Sequence, residues 1–284
     1  MVTDSVSEKQ KPLFSHKLGL RANDIHSWLC IGLDPEVERL PDRFPRSPRG
    51  VVDFCRHIVE ATRDVAAAFK PNTAFFESLG PEGWRALAEV REYIGDDPVI
   101  IDAKRGDMGN TARAYARAFF DYLAADALTV NPYLGPDSLE PFMGFEGRCV
   151  FVLTRTSNPG SGVVQDAESE SSPLYLHVAR WASSLAAATE VGFVVGATNG
   201  DAIRALRSEH PAALLLLPGV GAQGAEAGKA MRLGADQQGR SALPSVSRAV
   251  LYASRGTDFA EKARRVAEVM AAETWLPVTD DARR

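Results

Sequence analysis

The chain has 284 residues, of which 45% are hydrophobic and 24% charged, and a formal net charge of −5. These values are ordinary for a globular protein, and the length allows one large domain or two small ones. The negative charge argues against a general nucleic-acid or membrane-surface binder, and no run of about 18 apolar residues predicts a membrane span.

The first residues carry no basic stretch followed by an apolar one, so they do not resemble a secretory signal. We expect a mobile tail over residues 1–14, a single domain over 15–275 and a short C-terminal tail over 276–284. The three cysteines are far apart in sequence and form no CxxC pair, which indicates reduced core cysteines. A cytoplasmic location fits these features.

Short apolar runs alternate with helix-like segments whose apolar residues recur every three or four positions. Strands that are apolar on both faces and are each followed by a helix indicate a parallel sheet covered by helices. Eight such units favour a closed (β/α)8 TIM barrel, with a doubly wound open sheet as the alternative. The predicted strands lie within residues 28–34, 64–71, 98–104, 126–132, 149–155, 192–198 and 213–219, with a weaker eighth within 241–252.

Residues 161–172 follow the fifth predicted strand and are polar and rich in Gly and Ser. They predict a long, mobile loop and a candidate lid.

Polar residues follow most of these strands at their carboxyl ends. In a (β/α)8 barrel the loops at that end build the active site, so their position favours an enzyme. The residues concerned are Asp34, Lys70, Asp102, Lys104, Asn131, Thr154, Arg155 and the stretch 219–223.

The third strand ends in the densest group of charges. Side chains alternate along a strand, so Asp102 and Lys104 should point the same way, with Lys70 arriving from the neighbouring strand. Asp107 begins the next helix. Opposite charges this close would keep both lysines protonated, as proton donors or partners for an anion. A purely structural ion-pair network is the alternative, although desolvating so many charges contributes little stability.

The segment "DAKRGDMGNTA" (102–112) resembles the D-x-K-x-x-D-[hydrophobic]-x-x-T signature of orotidine 5'-phosphate decarboxylase. "LPSVSRAVLYA" (243–253) resembles the last strand and phosphate-binding arginine of the longer bacterial branch of that family. Five further motifs occur in the family's order: "GLDP" (32–35), "FKPNTAFFE" (69–77), "NPYLG" (131–135), "TSNPGS" (156–161) and "PGVGAQG" (218–224).

This resemblance implies the removal of CO2 from orotidine 5'-monophosphate to give UMP, the last step of de novo pyrimidine synthesis, without a metal or organic cofactor. It also implies a (β/α)8 homodimer with two sites at the interface, and no nucleic-acid or membrane partner. Asp107 and Thr111 would reach across that interface into the partner's site.

By the same resemblance, Lys104 is the proton donor to the pyrimidine carbon that loses its carboxylate. Asp102 would lie against the departing carboxylate. Lys70 would bridge the carboxylates and the ribose, and Asp34 would bind a ribose hydroxyl.

Further substrate contacts are implied around the rest of the site. Arg248 matches the phosphate-binding arginine, with Arg255 as its rival, and Gln223 would hydrogen-bond the phosphate or the base. Ser157 matches the residue that reads the pyrimidine edge. Asn72 either helps to place the ribose or is a turn residue after a proline.

Three other functions remain open at this point. "GVGAQG" matches the dinucleotide-binding pattern G-x-G-x-x-G, but no acidic residue closes a strand about 20 positions later. A Mg-dependent sugar-phosphate decarboxylase or aldolase of the same barrel group shares the D-x-K-x-x-D strand end. A catalytically inactive barrel could bind nucleotides or act as a scaffold.

Overall fold

The computed structural model describes residues 11–221 and 224–277. Part of each predicted tail lies outside the described residues, namely 1–10 of the tail 1–14 and 278–284 of the tail 276–284, as does Gln223. Phe14, at the end of the predicted N-terminal tail, is buried at the start of the first helix. Eight parallel strands form one sheet within the described ranges. They are β1 (Cys30–Leu33), β2 (Ala68–Pro71), β3 (Ile100–Arg105), β4 (Ala127–Val130), β5 (Cys149–Leu153), β6 (Glu190–Val194), β7 (Leu215–Pro218) and β8 (Ala242–Val246).

The sheet order is β2-β1-β8-β7-β6-β5-β4-β3, so every strand lies beside its neighbours in sequence. Two isolated parallel bridges, Phe69 to Val99 and Asn72 to Asp102, join β2 to β3 and close the ring. The predicted (β/α)8 barrel is therefore confirmed, including its weaker eighth strand. Residues of the strands are almost entirely buried, as expected where helices cover the outside and side chains fill the inside.

The helices alternate with the strands around this ring. The second helix begins with a proline at its first position, and the Ser47 hydroxyl accepts a hydrogen bond from the Gly50 N–H, two features that favour helix initiation. The helices are α1 (Phe14–Ile25), α2 (Pro48–Thr62), α3 (Thr73–Glu77), α4 (Pro81–Ile94), α5 (Gly109–Arg117), α6 (Gly162–Gln165), α7 (Leu174–Ser184), α8 (Gly200–Glu209), α9 (Ala227–Gly234), α10 (Arg248–Leu251) and α11 (Phe259–Thr274).

Helix α1 covers the amino-terminal end of the barrel. The Phe14 ring packs edge-on against Phe151 of β5, at 6.3 Å between centroids. The Ser15 N–H donates to the carboxylate of Glu190, the first residue of β6, at 2.8 Å. Lys17 forms a 2.9 Å ion pair with Asp126, directly before β4. With this end closed by α1, the carboxyl ends of the strands remain available for a site.

The segment 161–172, predicted to be a long, mobile loop and a candidate lid, has short elements of secondary structure. It contains helix α6 and one strand of a two-stranded antiparallel hairpin that pairs Glu168–Ser169 with Ser172–Pro173. The hairpin turns through Glu170 and Ser171, which both have positive φ angles. Arg155 holds the segment through a bidentate ion pair with Asp166, at 2.7 and 2.9 Å. The sequence lacks the Asn-Gly or Asp-Gly pair that usually marks such a turn.

Two simpler expectations concern the cysteines and the membrane. Cys30, Cys55 and Cys149 are all buried and not disulfide-bonded, in agreement with core cysteines. Over residues 11–221 and 224–277, no helix combines the length and apolarity needed to cross a bilayer.

Asp126 should be a main determinant of stability at the closed end of the barrel. Its carboxylate is 6% exposed and accepts hydrogen bonds from the Val99 N–H at 2.9 Å, from Lys17 at 2.9 Å and from Arg148 at 3.2 Å. We expect Asp126→Ala to lower the free energy of unfolding by about 3 kcal/mol, because it leaves buried donors without an acceptor. Urea denaturation measures this change.

Asp42 supplies the matched control for that measurement. It pairs with Arg46 at 3.0 Å, but its side chain is fully exposed. Exposed ion pairs contribute little, so Asp42→Ala should leave the midpoint of unfolding almost unchanged. Equal effects of the two substitutions would contradict the role given to Asp126.

Candidate active site

The carboxylate of Asp102 lies between two lysine ammonium groups at the carboxyl end of the barrel. Lys70 Nζ donates to Asp102 Oδ2 at 2.9 Å, and Lys104 Nζ donates to Asp102 Oδ1 at 2.5 Å. The Thr129 hydroxyl on β4 donates to the same Oδ1 at 2.9 Å. The structure thus brings together Lys70, Asp102 and Lys104 as the sequence predicts.

The two lysines differ in exposure. Lys70 is 4% exposed, whereas the Lys104 side chain is 47% exposed. Only the second ammonium is therefore open to a molecule that enters the mouth of the barrel. The first is enclosed behind the carboxylate.

The charges of this group stabilise one another. Burial lowers the pKa of Lys70, but the carboxylates of Asp102 and Asp34 raise it by more, so the net pKa lies above its ordinary value. Burial likewise raises the pKa of Asp102, and the ammonium groups of Lys70 and Lys104 more than reverse this, leaving it well below its usual range. Lys70 and Asp102 are therefore ionised at neutral pH.

The backbone at Lys104 is not that of a regular strand. Its φ angle is +49°, in the left-handed region. The pairing of β3 with β4 shifts between Ile101 and Arg105, so simple alternation does not explain why Lys104 approaches Asp102. The Lys104 N–H donates to the Thr129 hydroxyl at 2.9 Å instead of to a backbone carbonyl of the ladder. The predicted proximity is correct, but its cause is an irregular strand end.

Asp34 follows β1, and its loop is held by Tyr252. The Tyr252 hydroxyl accepts from the Glu36 N–H at 2.6 Å and donates to the Asp34 carbonyl oxygen at 3.2 Å. The Asp34 carboxylate points inward: its Oδ1 is buried and has no hydrogen-bonding partner among the described residues. The buried hydroxyl of Ser247, next to Arg248, also lacks a partner within those residues.

Ser157 and Asn72 lie on loops at the same end. A Cβ atom added at Gly196 would meet the Cα, Cβ and N atoms of Ser157 at 2.8–2.9 Å, so only glycine allows this close approach. The Asn72 side chain accepts from the Ala74 N–H at 3.1 Å and caps helix α3. This contact agrees with the turn interpretation of Asn72 and leaves its amide N–H groups for another partner.

The remaining described site residues form no hydrogen bond or ion pair with the ionic group. Arg248 is the first residue of α10, directly after the β8 end, and Arg255 lies beyond that helix; both are exposed. Asp107 accepts from the Met108 N–H at 2.7 Å and forms no ion pair with any other described residue. Thr111 is exposed in the first turn of α5.

Across the part of the chain that the structure describes, no group of three or more His, Cys, Asp or Glu residues is placed to hold an ion.

Two residues that contact the site were not singled out from the sequence. Thr129 looks like an ordinary β-branched strand residue, and its only signal is a hydroxyl two positions before Asn131 in a buried strand. Tyr252 lies within the "LPSVSRAVLYA" motif, but nothing local indicates that its hydroxyl reaches the loop after β1. Both contacts join segments that are distant in sequence.

Comparison with known proteins gives a consistent result. Residues 27–265 match the model of the orotidine 5'-phosphate decarboxylase / HUMPS family. An orotidine 5'-phosphate decarboxylase from Roseiflexus sp. (strain RS-1) is 50% identical over 247 residues, which are 85% of this chain and 89% of that protein. The enzyme of the same name from Herpetosiphon aurantiacus is 45% identical over 263 residues, 90% and 96% of the two chains. The chain belongs to this family.

Solved structures of orotidine 5'-phosphate decarboxylases resemble the barrel as well. The structure of the Leishmania donovani OMP decarboxylase superposes with a TM-score of 0.79 at 36% identity, covering 94% of this chain and all of that one. The family resemblance read from the seven motifs is therefore confirmed. As the sequence implies, the orotidine 5'-phosphate decarboxylase motifs lie at the carboxyl ends of the strands.

Removal of the central carboxylate should weaken the folded state. We expect Asp102→Asn to lower the free energy of unfolding at pH 7 by about 3 kcal/mol, because it strips the buried Lys70 of its nearest counter-charge. The pKa of Asp102 is lowered in the folded state, so its contribution is present above the ordinary value of 3.8 and is lost as the pH falls below it. The difference in the free energy of unfolding between the wild type and Asp102→Asn should persist from pH 7 to 5 and become smaller below about pH 4.

Urea denaturation at pH 7, 5 and 3.5 measures this profile. Asp201→Asn is the control, since Asp201 pairs with Arg204 but has a fully exposed side chain. A variant as stable as the wild type at pH 7 would contradict the coupling between Asp102 and Lys70.

Proposed function

We propose that this protein converts orotidine 5'-monophosphate to UMP by loss of CO2, with Lys104 as the proton donor. The observation that carries the proposal is the Lys70–Asp102–Lys104 group, whose one accessible ammonium faces the mouth of the barrel. Family membership and the relatives named orotidine 5'-phosphate decarboxylase support the same activity.

The proposed step needs a fixed positive charge at the reacting carbon. When the bond from the pyrimidine ring to the carboxylate breaks, its electron pair stays on a ring carbon that has no adjacent group to delocalise it. The Lys104 ammonium stabilises this charge as it develops and then transfers a proton to the same carbon. Asp102 would face the carboxylate of the substrate and favour its departure as uncharged CO2. No metal or organic cofactor enters this scheme.

The rest of the substrate is assigned to the loops around this group. The unpartnered Oδ1 of Asp34 suits a ribose hydroxyl, and Lys70, whose charge both Asp34 and Asp102 stabilise, would bridge the carboxylates and the ribose. Arg248 would hold the phosphate by a bidentate contact, in preference to Arg255, because it directly follows the end of β8.

Three polar side chains complete the proposed set of substrate contacts. Ser157 would contact the pyrimidine edge, and Asn72 would contribute to the ribose site through its amide. Gln223 would bind the phosphate or the base. Phosphate binding far from the reacting carbon holds the substrate against the repulsion at its carboxylate.

We further propose a homodimer that shares its two sites. Asp107 and Thr111 are the groups offered to the partner's site, and neither is engaged with the ionic group of its own chain. Exposed apolar side chains lie on the adjacent loops: Met108 is 59% exposed, Tyr133 79% and Leu134 48%. An apolar surface of this kind is typical of a protein interface. A location in the cytoplasm, where biosynthetic substrates occur and buried thiols stay reduced, is part of the same proposal.

The activity can be tested directly. Purified protein should consume orotidine 5'-monophosphate in a spectrophotometric assay and release UMP, and the rate should be unaffected by EDTA. Lys104→Ala should lower kcat by at least about a thousandfold while the protein stays folded, because both charge stabilisation and proton transfer are lost.

Lys262→Ala, a change on helix α11, is the matched control and should retain the wild-type rate. Near-normal turnover by the Lys104 variant would remove Lys104 from its role. A rate abolished by EDTA and restored by Mg²⁺ would favour the sugar-phosphate decarboxylase or aldolase alternative.

Mixing two inactive variants tests the shared site. If Asp107 acts in the partner's site, a hybrid of Asp107→Ala and Lys104→Ala chains has one site that lacks both residues and one that is intact. We expect an equimolar mixture to regain about a quarter of the wild-type activity, since half of the dimers are hybrids with one working site each. No recovery after subunit exchange verified by mass spectrometry would contradict the shared site.

A further inference from the structure

Thr129 occupies a position between the two charged residues of β3. It lies in the adjacent strand β4 and is 1% exposed. Its hydroxyl accepts from the Lys104 backbone N–H at 2.9 Å and donates to Asp102 Oδ1 at 2.9 Å. One side chain therefore contacts the backbone of the proposed proton donor and the carboxylate beside it.

The direction of these hydrogen bonds is fixed by chemistry. A threonine hydroxyl has one proton, and a backbone N–H can only donate. The oxygen must therefore accept from Lys104, and its own proton must go to the carboxylate of Asp102. Valine, which has nearly the same shape, would leave the Lys104 N–H without this acceptor and the carboxylate with one donor fewer.

The backbone at Lys104 explains why such support is needed. Ile101 pairs with Leu128 and Arg105 with Val130, so β3 advances four residues while β4 advances two. Lys104 lies in this bulge with a φ angle of +49°, a backbone conformation that is strained for a residue other than glycine. Glycine would relieve the strain but would carry no ammonium group. The Thr129 hydroxyl supplies the hydrogen bond that the interrupted ladder does not provide.

We propose that Thr129 is a positioning residue of the decarboxylation centre, a proposal that rests on the function proposed above. Its hydroxyl holds the left-handed backbone of Lys104 and the carboxylate of Asp102 in one fixed relation. The ammonium of Lys104 also donates to Asp102 Oδ1, so the Lys104 backbone, the Thr129 hydroxyl, the Asp102 carboxylate and the Lys104 ammonium form a closed ring of hydrogen bonds. A β-branched residue suits this task because its χ1 angle is stiff.

The consequence for catalysis is specific. Thr129 is buried beneath the charged groups, so its loss should affect the placement of Lys104 more than the binding of substrate. Small displacements of a reacting group can cost about a hundredfold in rate. We expect Thr129→Val to lower kcat for orotidine 5'-monophosphate by about 10- to 100-fold, with KM changed by less than about threefold.

Thr129→Ser is the variant that separates positioning from packing. It keeps the hydroxyl and removes one methyl group, and it should recover at least half of the wild-type kcat. Thr62→Val is the control, because the Thr62 hydroxyl is buried and donates to the Ile58 carbonyl at 2.7 Å within helix α2. This control should retain the wild-type kcat even if the protein becomes less stable.

Hydrogen exchange gives a reading that does not depend on turnover. The Lys104 amide should exchange at least about tenfold faster in Thr129→Val than in the wild type, measured by NMR, with Thr129→Ser close to the wild type. If the wild type shows no decarboxylation but the exchange result holds, the proposed function fails and the hydrogen-bonding role of Thr129 stands.

Two results would overturn the positioning role in an active enzyme. One is a folded Thr129→Val with kcat within twofold of the wild type, and the other is a Thr129→Ser that is as slow as Thr129→Val. If Thr129→Val does not fold, Thr129→Ala replaces it under the same criteria.

Discussion

The ion pair between Lys70 and Asp102 is the interaction on which the site depends. An ammonium that is 4% exposed cannot remain charged without a close carboxylate, because the cost of an unpaired buried charge is several kcal/mol. Asp102 in turn accepts from three donors, Lys70, Lys104 and Thr129. Lys70 and Asp102 therefore keep each other ionised before any substrate arrives. This mutual dependence holds the three charged side chains in place.

The same ion pair crosses the seam at which the barrel closes. Seven of the eight seams are paired strands of the sheet, including the bulged β3–β4 pair, whereas β2 and β3 are joined by two isolated bridges, Phe69 to Val99 and Asn72 to Asp102. Lys70 and Asp102 form their salt bridge across this seam, 32 positions apart in sequence. A polar interaction thus stands where backbone pairing is weakest. We infer that the chemistry of the site and the closure of the fold share this contact, so that few residue types are acceptable at either position.

Local sequence patterns predicted most of the fold and the charged group at its carboxyl end. Short apolar runs between helical periods located seven strands and more weakly the eighth, and the polar and charged residues after them marked the open end of the barrel. The irregular end of β3 was not predicted, because the alternation of side chains along a strand assumes a regular ladder and Lys104 lies in a bulge. The contact of Thr129 was not predicted either, since only the register between β3 and β4 brings its hydroxyl to Asp102.

The short hairpin near residue 170 was missed for a different reason. Its strands are two residues long and polar, so they have no hydrophobic period to detect. Asp107 and Thr111 pose a third kind of problem, because the proposal that they act in a partner's site cannot be judged from the contacts of one chain. Sequence reasoning is therefore strongest where burial dictates residue type. It is weakest where a single hydrogen bond or a second chain decides the geometry.

The energetics of the proposed reaction follow from how Asp102 is held. Two carboxylates about 4 Å apart repel by roughly 4 kcal/mol at an effective dielectric constant near 20. Enzymes typically supply roughly 8–23 kcal/mol, so this repulsion covers only part of the rate enhancement. Because three donors already offset the charge of Asp102, the repulsion felt by a substrate carboxylate is smaller still. The larger share must come from the stabilisation of the carbanion by an ammonium that is in place in advance, and this makes the backbone position of Lys104 more important than the strain imposed by Asp102.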